Sequence, residues 1–410
     1  MATAAILPPP PAPVAGAGDI AAQVRAFEGH GRRTESLVEE GIPYWVNAFW
    51  TVRQRQAHSL HEVSYRACFK AQLPEFFIAR LTTPGEAVHD PFMGRGTTPV
   101  QAALMGRRPL GNDINPLSTL LARPRLNPPA LDAVAERLRE VPWAEGGEAP
   151  EDLLAFYHPE TLRQLMALRG WLLARAPLTL GEPDPVEDWI RMVAINRLSG
   201  HSPGFFSGRS MPPNQAVSVR AQRRINTRLG LTPPRREVAA LILKKSRALL
   251  ADGPPPAHPP ALLCTGPAAA TPAIAAGSVA LTVTSPPFLD VVQYAADNWL
   301  RCWFAGIDAA AVPIAMHRGE AGWTAMVRAV LAEQARILRP GGHLAFEVGE
   351  VRRGRLLLER LVWQAAEGLP FERLGVLVHD QAFTKTANCW GVANNTAGTN
   401  TNRVVLLRRL

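Results

Sequence analysis

The chain has 410 residues, 47% of them hydrophobic and 19% charged, enough to bury a sizeable core and too many for one ordinary domain unless a large fold carries an insertion. The 44 Lys and Arg against 35 Asp and Glu give +9, an excess that favours a polyanionic partner, nucleic acid before membrane. Four scattered cysteines without CxxC spacing, no apolar run near the ~20 residues that span a bilayer, and an N-terminus without a basic start exclude a disulfide framework, a membrane protein and a secretory signal, so a cytoplasmic location is expected.

Residues 1–18 (MATAAILPPPPAPVAGAG) are Ala/Pro-rich and read as a disordered tail. In 19–130, residues 87–89 predict a short strand, followed by a tight turn, a helix at about 98–105 and a second strand at 109–113. Residues 131–252 show helical patterns without a convincing strand and predict a helical insertion. That insertion holds the charge: between Arg191 and Arg247 stand twelve basic residues against one acid, Glu237, so this segment is +11 while the whole chain is +9. A basic surface suits phosphate tracking, although arginine-rich helices can also be only a solvated face. The loop 199–209 adds glycines, Phe205 and Phe206, a composition equally suited to contacting bases and to packing. Residues 253–278 are Pro/Ala-rich and predict a linker. In 279–410, strands are expected at 279–283, 343–348, 374–379 and 404–407, with helices at 294–304 and 323–338. Alternating strands and helices predict a doubly wound α/β sheet.

Two motifs carry chemistry. In His89-Asp90-Pro91-Phe92-Met93-Gly94-Arg95-Gly96-Thr97-Thr98 a strand ends, two glycines open a turn and a helix follows, leaving free N–H groups for a ligand. Asp113 ends the next strand, close to the spacing of about 20 residues at which an acid holds ribose hydroxyls. Pro99 stands where dinucleotide folds carry a third glycine, so a nucleoside cofactor without a pyrophosphate is expected. The second motif, Thr284-Ser285-Pro286-Pro287-Phe288, follows an apolar strand. Its prolines cannot donate, its carbonyls and the Ser285 hydroxyl can accept from an amine, and Phe288 offers a ring.

Together, HDPFMGRGTT, GNDINP and VTSPPF resemble the S-adenosylmethionine-dependent DNA amino-methyltransferases, which modify N4 of cytosine or N6 of adenine. Leu73-Pro74-Glu75-Phe76-Phe77-Ile78, Leu338-Arg339-Pro340-Gly341-Gly342-His343 and Gly398-Thr399-Asn400-Thr401-Asn402-Arg403-Val404 are similar to further segments of that family. The resemblance covers roughly residues 58–122 and 279–410 and implies a Rossmann-like methyltransferase sheet, with the basic insertion as target-recognition domain. It also implies that Asp90, Phe92, Gly94, Gly96 and Thr97 form the cofactor loop, that Asp113 holds the ribose, and that Pro74, Glu75 and Phe76 flank the methionine end. Ser285, Pro286, Pro287 and Phe288 would then hold a flipped base, and Ser before the prolines favours cytosine N4. Arg209, Arg220, Arg223, Arg224 and Arg228 would contact double-stranded DNA in the nucleoid, with a cognate restriction endonuclease as a further partner. Two positions depart from the family pattern: Phe288 where Tyr is commoner, and Pro267 where an acid near the cofactor adenine is expected.

Cytosine C5 methylation needs a cysteine nucleophile, and none of Cys68, Cys264, Cys302 and Cys389 follows a proline. His58 and His61 read as structural. Glu347 and Glu350, after a strand, could line the pocket or face solvent. Asn298, Trp299 and Trp303 read as packing, and Asp290 and Tyr294 as possible substrate contacts. Adenine-N6 or RNA-amine methylation, and a DNA-binding relative without turnover, stay open as alternatives.

Overall fold

The computed structural model describes residues 19–29, 31–50, 57–66, 68–175, 177–178, 183–210, 216–289, 294–314, 317, 319–351, 355–380 and 401–410. Asp290, Cys389 and residues 398–400 lie outside them, as do residues 1–18 and the side chains of Tyr294 and Glu350. The N-terminal part contains α1 (Ile20–Arg25), β1 (Glu28–Gly29), β2 (Arg32–Arg33), β3 (Glu35–Glu39), β4 (Ile42–Asn47), α2 (Gln72–Leu81), β5 (Ala87–Asp90), α3 (Thr97–Leu104), β6 (Arg108–Asp113) and α4 (Pro116–Ala122). The central part is helical: α5 (Leu131–Arg139), α6 (Pro159–Arg175), α7 (Pro185–Arg197), α8 (Val219–Leu229) and α9 (Val238–Leu249). Then come β7 (Leu262–Thr265), β8 (Val279–Thr284), α10 (Tyr294–Ala305), α11 (Glu320–Ile337), β9 (Leu338–Val348), β10 (Glu350–Val351), β11 (Leu356–Leu357), α12 (Leu358–Ala365), β12 (Phe371–Asp380) and β13 (Thr401–Arg409).

One nine-stranded sheet organises these elements, in the order β3-β4-β12-β13-β9-β8-β5-β6-β7. The run from β9 to β7 is parallel, and β13 lies antiparallel between β9 and β12. All six residues of β8 (VALTVT) and all four of β5 (AVHD) are buried, as expected for central parallel strands covered on both faces. The chain leaves β5 for β6 on one side, while β8 flanks β5 on the other. The strand order therefore reverses beside β5, the position at which open α/β sheets bind ligands beyond their carboxyl ends.

The helical insertion shares a core with the helices that flank the sheet. Leu117 and Leu121 of α4 join Leu168 of α6, Trp189 and Val193 of α7 and Ile242 of α9 in one buried cluster. Helix α7 starts where its sequence says it should: Pro185 takes the first position and Asp184 Oδ1 accepts from the Val186 and Glu187 amides at 2.8 and 3.1 Å. Arg123 clamps Asp188 through two hydrogen bonds of 2.7 and 2.9 Å, fastening the end of α4 to α7.

Three features differ from the sequence expectation. Residues 253–278, read as a linker, contribute the edge strand β7, whose four residues pair in parallel with Leu110–Asp113. The exposed β3 and the β4 that follows it form an unforeseen hairpin, and β4 pairs in parallel with β12. The loop 199–209 is packed, with Phe205 and Phe206 buried and the Arg197 guanidinium 4.2 Å over the Phe205 ring, so those aromatics are not available to bases.

Candidate functional site

The first wall of the site is the turn between β5 and α3. Gly94 and Gly96 adopt φ of +49° and +80°, which side chains disfavour. At Gly96 a Cβ would also lie 2.5 Å from the Ala122 Cβ, so the glycine lets α4 approach the turn. Asp113, at the end of β6, ties the turn down: Oδ2 accepts from the Gly94 amide at 2.8 Å and Oδ1 from the Asn115 amide at 2.9 Å. Asp90 Oδ1 accepts from the Phe92 amide at 3.0 Å and from the Thr284 hydroxyl at 2.6 Å, which links β5 to β8. Asp90 Oδ2 is buried without a partner, and the nearby Thr98 hydroxyl donates to the Val283 carbonyl instead. Burial pushes the Asp90 carboxyl up to about 7 against the pull of these hydrogen bonds, and also raises Asp113.

The second wall is the segment after β8. Ser285 and Pro287 face the same cavity as Phe92, Gly94, Thr97 and Asp113. The Pro287 carbonyl accepts from Trp323 Nε1 at 2.9 Å, which pins the two-proline turn to α11. Glu347, at the end of β9, is buried, and its pKa is pushed up by burial to about 7; a hydrogen bond from Ser285 draws it the other way. This acid therefore faces inward and is not solvated.

Residues 58–66, 68 and 69 complete the cavity, and sequence reasoning missed them. Tyr65, Cys68 and Phe69 line the site. Two buried arginines hold them there: Arg95 donates to the carbonyls of His61, Val63 and Phe69, and Arg125 donates to those of Leu60, Leu121 and Arg95. The only signal in the sequence was Arg95 within a glycine turn, and a guanidinium binding three carbonyls cannot be told there from a solvated one. His61 is structural as expected, with Nε2 2.9 Å from Gln101 Oε1, and burial lowers its pKa to about 3.

The remaining sequence candidates fall elsewhere. Asp90, Gly96 and Pro286 stand behind the cavity wall and shape it. Phe288 packs partly buried against the core cluster that includes Trp323 and does not line the cavity, whose aromatic side chains are Tyr65, Phe69 and Phe92. Pro74 and Phe76 are buried in α2, away from the cavity. Phe76 belongs to a ring cluster with Phe27, Phe49, Trp50 and Phe77, and the Arg80 guanidinium lies 3.8 Å over it. Glu75 is exposed on the same helix and does not reach the cavity either. Around the position where an adenine-side acid was expected, Pro267, Ala268 and Ala269 line the cavity, and Asn112 Nδ2 holds the Gly266 carbonyl at 2.9 Å. That end is lined by apolar residues.

The basic segment divides into two populations. Arg191 is buried and donates to the Leu172 carbonyl, and Arg197 is largely covered, so these two are structural. Arg209, Arg220, Arg223, Arg224 and Arg228 are exposed. Arg220, Arg224 and Arg228 recur every fourth residue, on one face of α8, while Arg223 reaches Asp152 at 2.5 Å. Helix α8 follows Ala216 and Val217, whose backbone is bonded to Asp297 and Trp299 of α10, the helix after the Ser285 segment. Arg66 in turn binds Asp297 with two contacts of 2.9 Å. The basic helix is thus anchored to the helix that follows the Ser285 segment. Trp299 and Trp303 pack as expected, Trp303 beneath Arg169 at 5.2 Å.

Residues 26–120 match a protein-family model described as DNA methylase and named for N6 and N4 methyltransferases. The match includes the glycine turn and Asp113 and stops before Ser285. Among curated proteins, the type II methyltransferase M.MjaII of Methanocaldococcus jannaschii is 40% identical over 74 residues, which are 18% of this chain and 14% of that protein. Among solved structures, TrmN from Thermus thermophilus aligns with a TM-score of 0.33 at 13% identity, covering 87% of this chain and 52% of TrmN. Geranyl diphosphate C-methyltransferase from Streptomyces coelicolor A3(2) aligns with a TM-score of 0.32 at 9% identity, covering 82% and 79%. Neither structural likeness is close enough to bear on function. No helix among the described residues is long and apolar enough to cross a membrane.

Proposed function

We propose that the chain is an S-adenosylmethionine-dependent DNA amino-methyltransferase that modifies the N4 amine of a cytosine turned out of the duplex. The observation that carries this reading is the single cavity lined by both Asp113 with its glycine turn and Ser285 with Pro287, two motifs far apart in sequence. The match of residues 26–120 to the DNA methylase model supports the cofactor half of it.

The residues present fit the cofactor. Gly94 leaves room for close approach at the wall, Asp113 keeps carboxylate lone pairs for hydroxyl donors, and Pro267, Ala268 and Ala269 offer apolar surface to a ring. When bound, S-adenosylmethionine supplies a methyl group on a sulfonium. The target amine is paired and stacked in duplex DNA, so the base must leave the stack to reach the cavity. Ser285 Oγ then accepts from the amine and turns the nitrogen lone pair toward the methyl group. Tyr65 and Phe69 supply apolar surface beside the base, and Arg220, Arg224 and Arg228 hold the phosphates. Positioning of two bound reactants supplies most of the acceleration.

Transfer of a labelled methyl group from S-adenosylmethionine into unmethylated DNA tests this. Asp113→Ala is expected to lose cofactor binding and transfer together. Ser285→Ala is expected to keep cofactor and DNA binding and lose transfer by about a hundredfold, within the range of a positioned proton acceptor. Unlabelled DNA, or a Ser285→Ala variant as fast as the parent, would overturn the assignment.

A further inference from the structure

We propose that Glu347 is a positioning residue for methyl transfer, which orients the Ser285 hydroxyl and takes up, through it, the proton that the target amine gives up. The inference rests on the reading of Ser285 as the group that meets the amine.

The geometry comes from the sheet. Strands β8 and β9 run parallel with Thr284 opposite Phe346, so Ser285 and Glu347 leave the sheet side by side. Glu347 is only 6% exposed and hydrogen-bonds the Ser285 hydroxyl. Ser285 lines the cavity whereas Glu347 does not, so the carboxyl can act on a substrate only through the serine. A buried carboxyl is costly to keep in a core strand, and no ion pair is made to this one among the described residues. The charged and titratable groups on the packed strands are otherwise engaged. Asp90 of β5 is held by Thr284, and His379 of β12 accepts from the Phe49 amide at 3.0 Å and stacks on Trp50. Arg403 of β13 binds Glu359 of α12 at 2.7 Å. On the neighbouring α2, Glu75 is exposed and Arg80 is stacked on Phe76.

An ionised Glu347 accepts the Ser285 O–H and thereby leaves the Oγ lone pairs free for the amine. As the amine nitrogen bonds to the methyl carbon, the carbon–sulfur bond breaks with its electron pair remaining on sulfur. The nitrogen then carries one proton too many. That proton passes to Ser285 Oγ, the proton already on Oγ passes to Glu347, and Glu347 ends neutral until it releases the proton to water after the product leaves. Only the ionised carboxylate can begin the cycle. Burial holds its pKa near neutrality, so the competent fraction grows as pH rises through about 7.

The test combines transfer kinetics with a measurement that needs no turnover. In the parent, kcat for methylation of unmethylated DNA is expected to rise through pH ~7, and Glu347→Gln is expected to lower kcat about thirtyfold and abolish that rise. KM for DNA and cofactor affinity should stay within twofold. Ser285→Ala should cost more, about a hundredfold, and the double variant no more than that larger single effect, because the two act as one relay. Without cofactor, Tm of the parent should fall more between pH 6 and 8 than that of Glu347→Gln. A parent rate without a limb near neutrality, a Glu347→Gln variant that keeps both rate and limb, or additive effects would each overturn the relay while leaving the methyltransferase reading intact. A parent that transfers no methyl group to DNA would overturn both. If Glu347→Gln does not fold, the parent pH profile and the Ser285→Ala comparison still decide.

Discussion

Replacing each turn glycine by alanine separates structure from binding. At Gly96 an alanine meets two costs: a left-handed φ of +80°, worth about 1 to 2 kcal/mol, and a methyl group 2.5 Å from Ala122 Cβ and 3.1 Å from Ala122 Cα, an overpacking worth about 1 to 3 kcal/mol. The sum is about 2 to 5 kcal/mol. An unfolding entropy of about 2.1 cal/mol/K per residue gives ~0.9 kcal/mol/K for a chain of this length, so Tm should drop by about 2 to 6 °C. At Gly94 the φ is +49° and the nearest atom to an added Cβ, Tyr65 Cε1, is 3.5 Å away, an ordinary contact. Gly94→Ala should therefore cost only the backbone term, about 1 to 2 °C, but it places a methyl group on the cavity wall, and cofactor affinity should fall at least tenfold. Thermal unfolding and calorimetric titration with a non-reactive cofactor analogue measure both quantities. Gly96→Ala with an unchanged Tm, or Gly94→Ala with the larger loss of stability and intact affinity, would refute the account of the turn.

Two further outcomes follow from the charges. Changing Arg220, Arg224 and Arg228 to Gln should leave Tm nearly unchanged, because all three are exposed, and should reduce the slope of log affinity for DNA against log salt by about 2.7; an unchanged slope would remove α8 from the DNA surface. Asp90, pushed up by burial from 3.8 to about 7, binds a proton in the folded protein that the unfolded chain has already lost. The folded state therefore loses stability as pH rises from about 4 through 7, and a plot of Tm against pH between 6 and 8 should fall less for Asp90→Asn than for the parent. Equal curves would mean that Asp90 is ionised throughout.

How much was legible in the sequence follows from how local each feature is. The β5–turn–α3 unit is encoded within residues 87–104, so its strand, glycines and helix start were readable, and Asp113 followed from spacing. The Ser285 segment was readable because an apolar strand precedes two prolines. Phe76 was misplaced because what removes it from the cavity is a ring cluster assembled from Phe27, Phe49 and Trp50, in segments distant from α2. Glu347 stayed open between the pocket and solvent, since its neighbour Ser285 arrives only through the β8–β9 register. Strand β7 escaped because prolines crowd its flanks, and β3 because all five of its residues are exposed and show no alternation. In the basic segment, the count of arginines could not separate Arg191, spent on the Leu172 carbonyl, from the exposed row on α8.

The most direct test of the central claim is mass spectrometry of nucleosides from unmethylated bacterial DNA incubated with the purified protein and S-adenosylmethionine. N4-methylcytosine is the expected product, formed about a hundredfold more slowly when Ser285 is replaced by alanine. N6-methyladenine would keep the cavity and cofactor but overturn the choice of base, and DNA without any methylated amine would contradict the account.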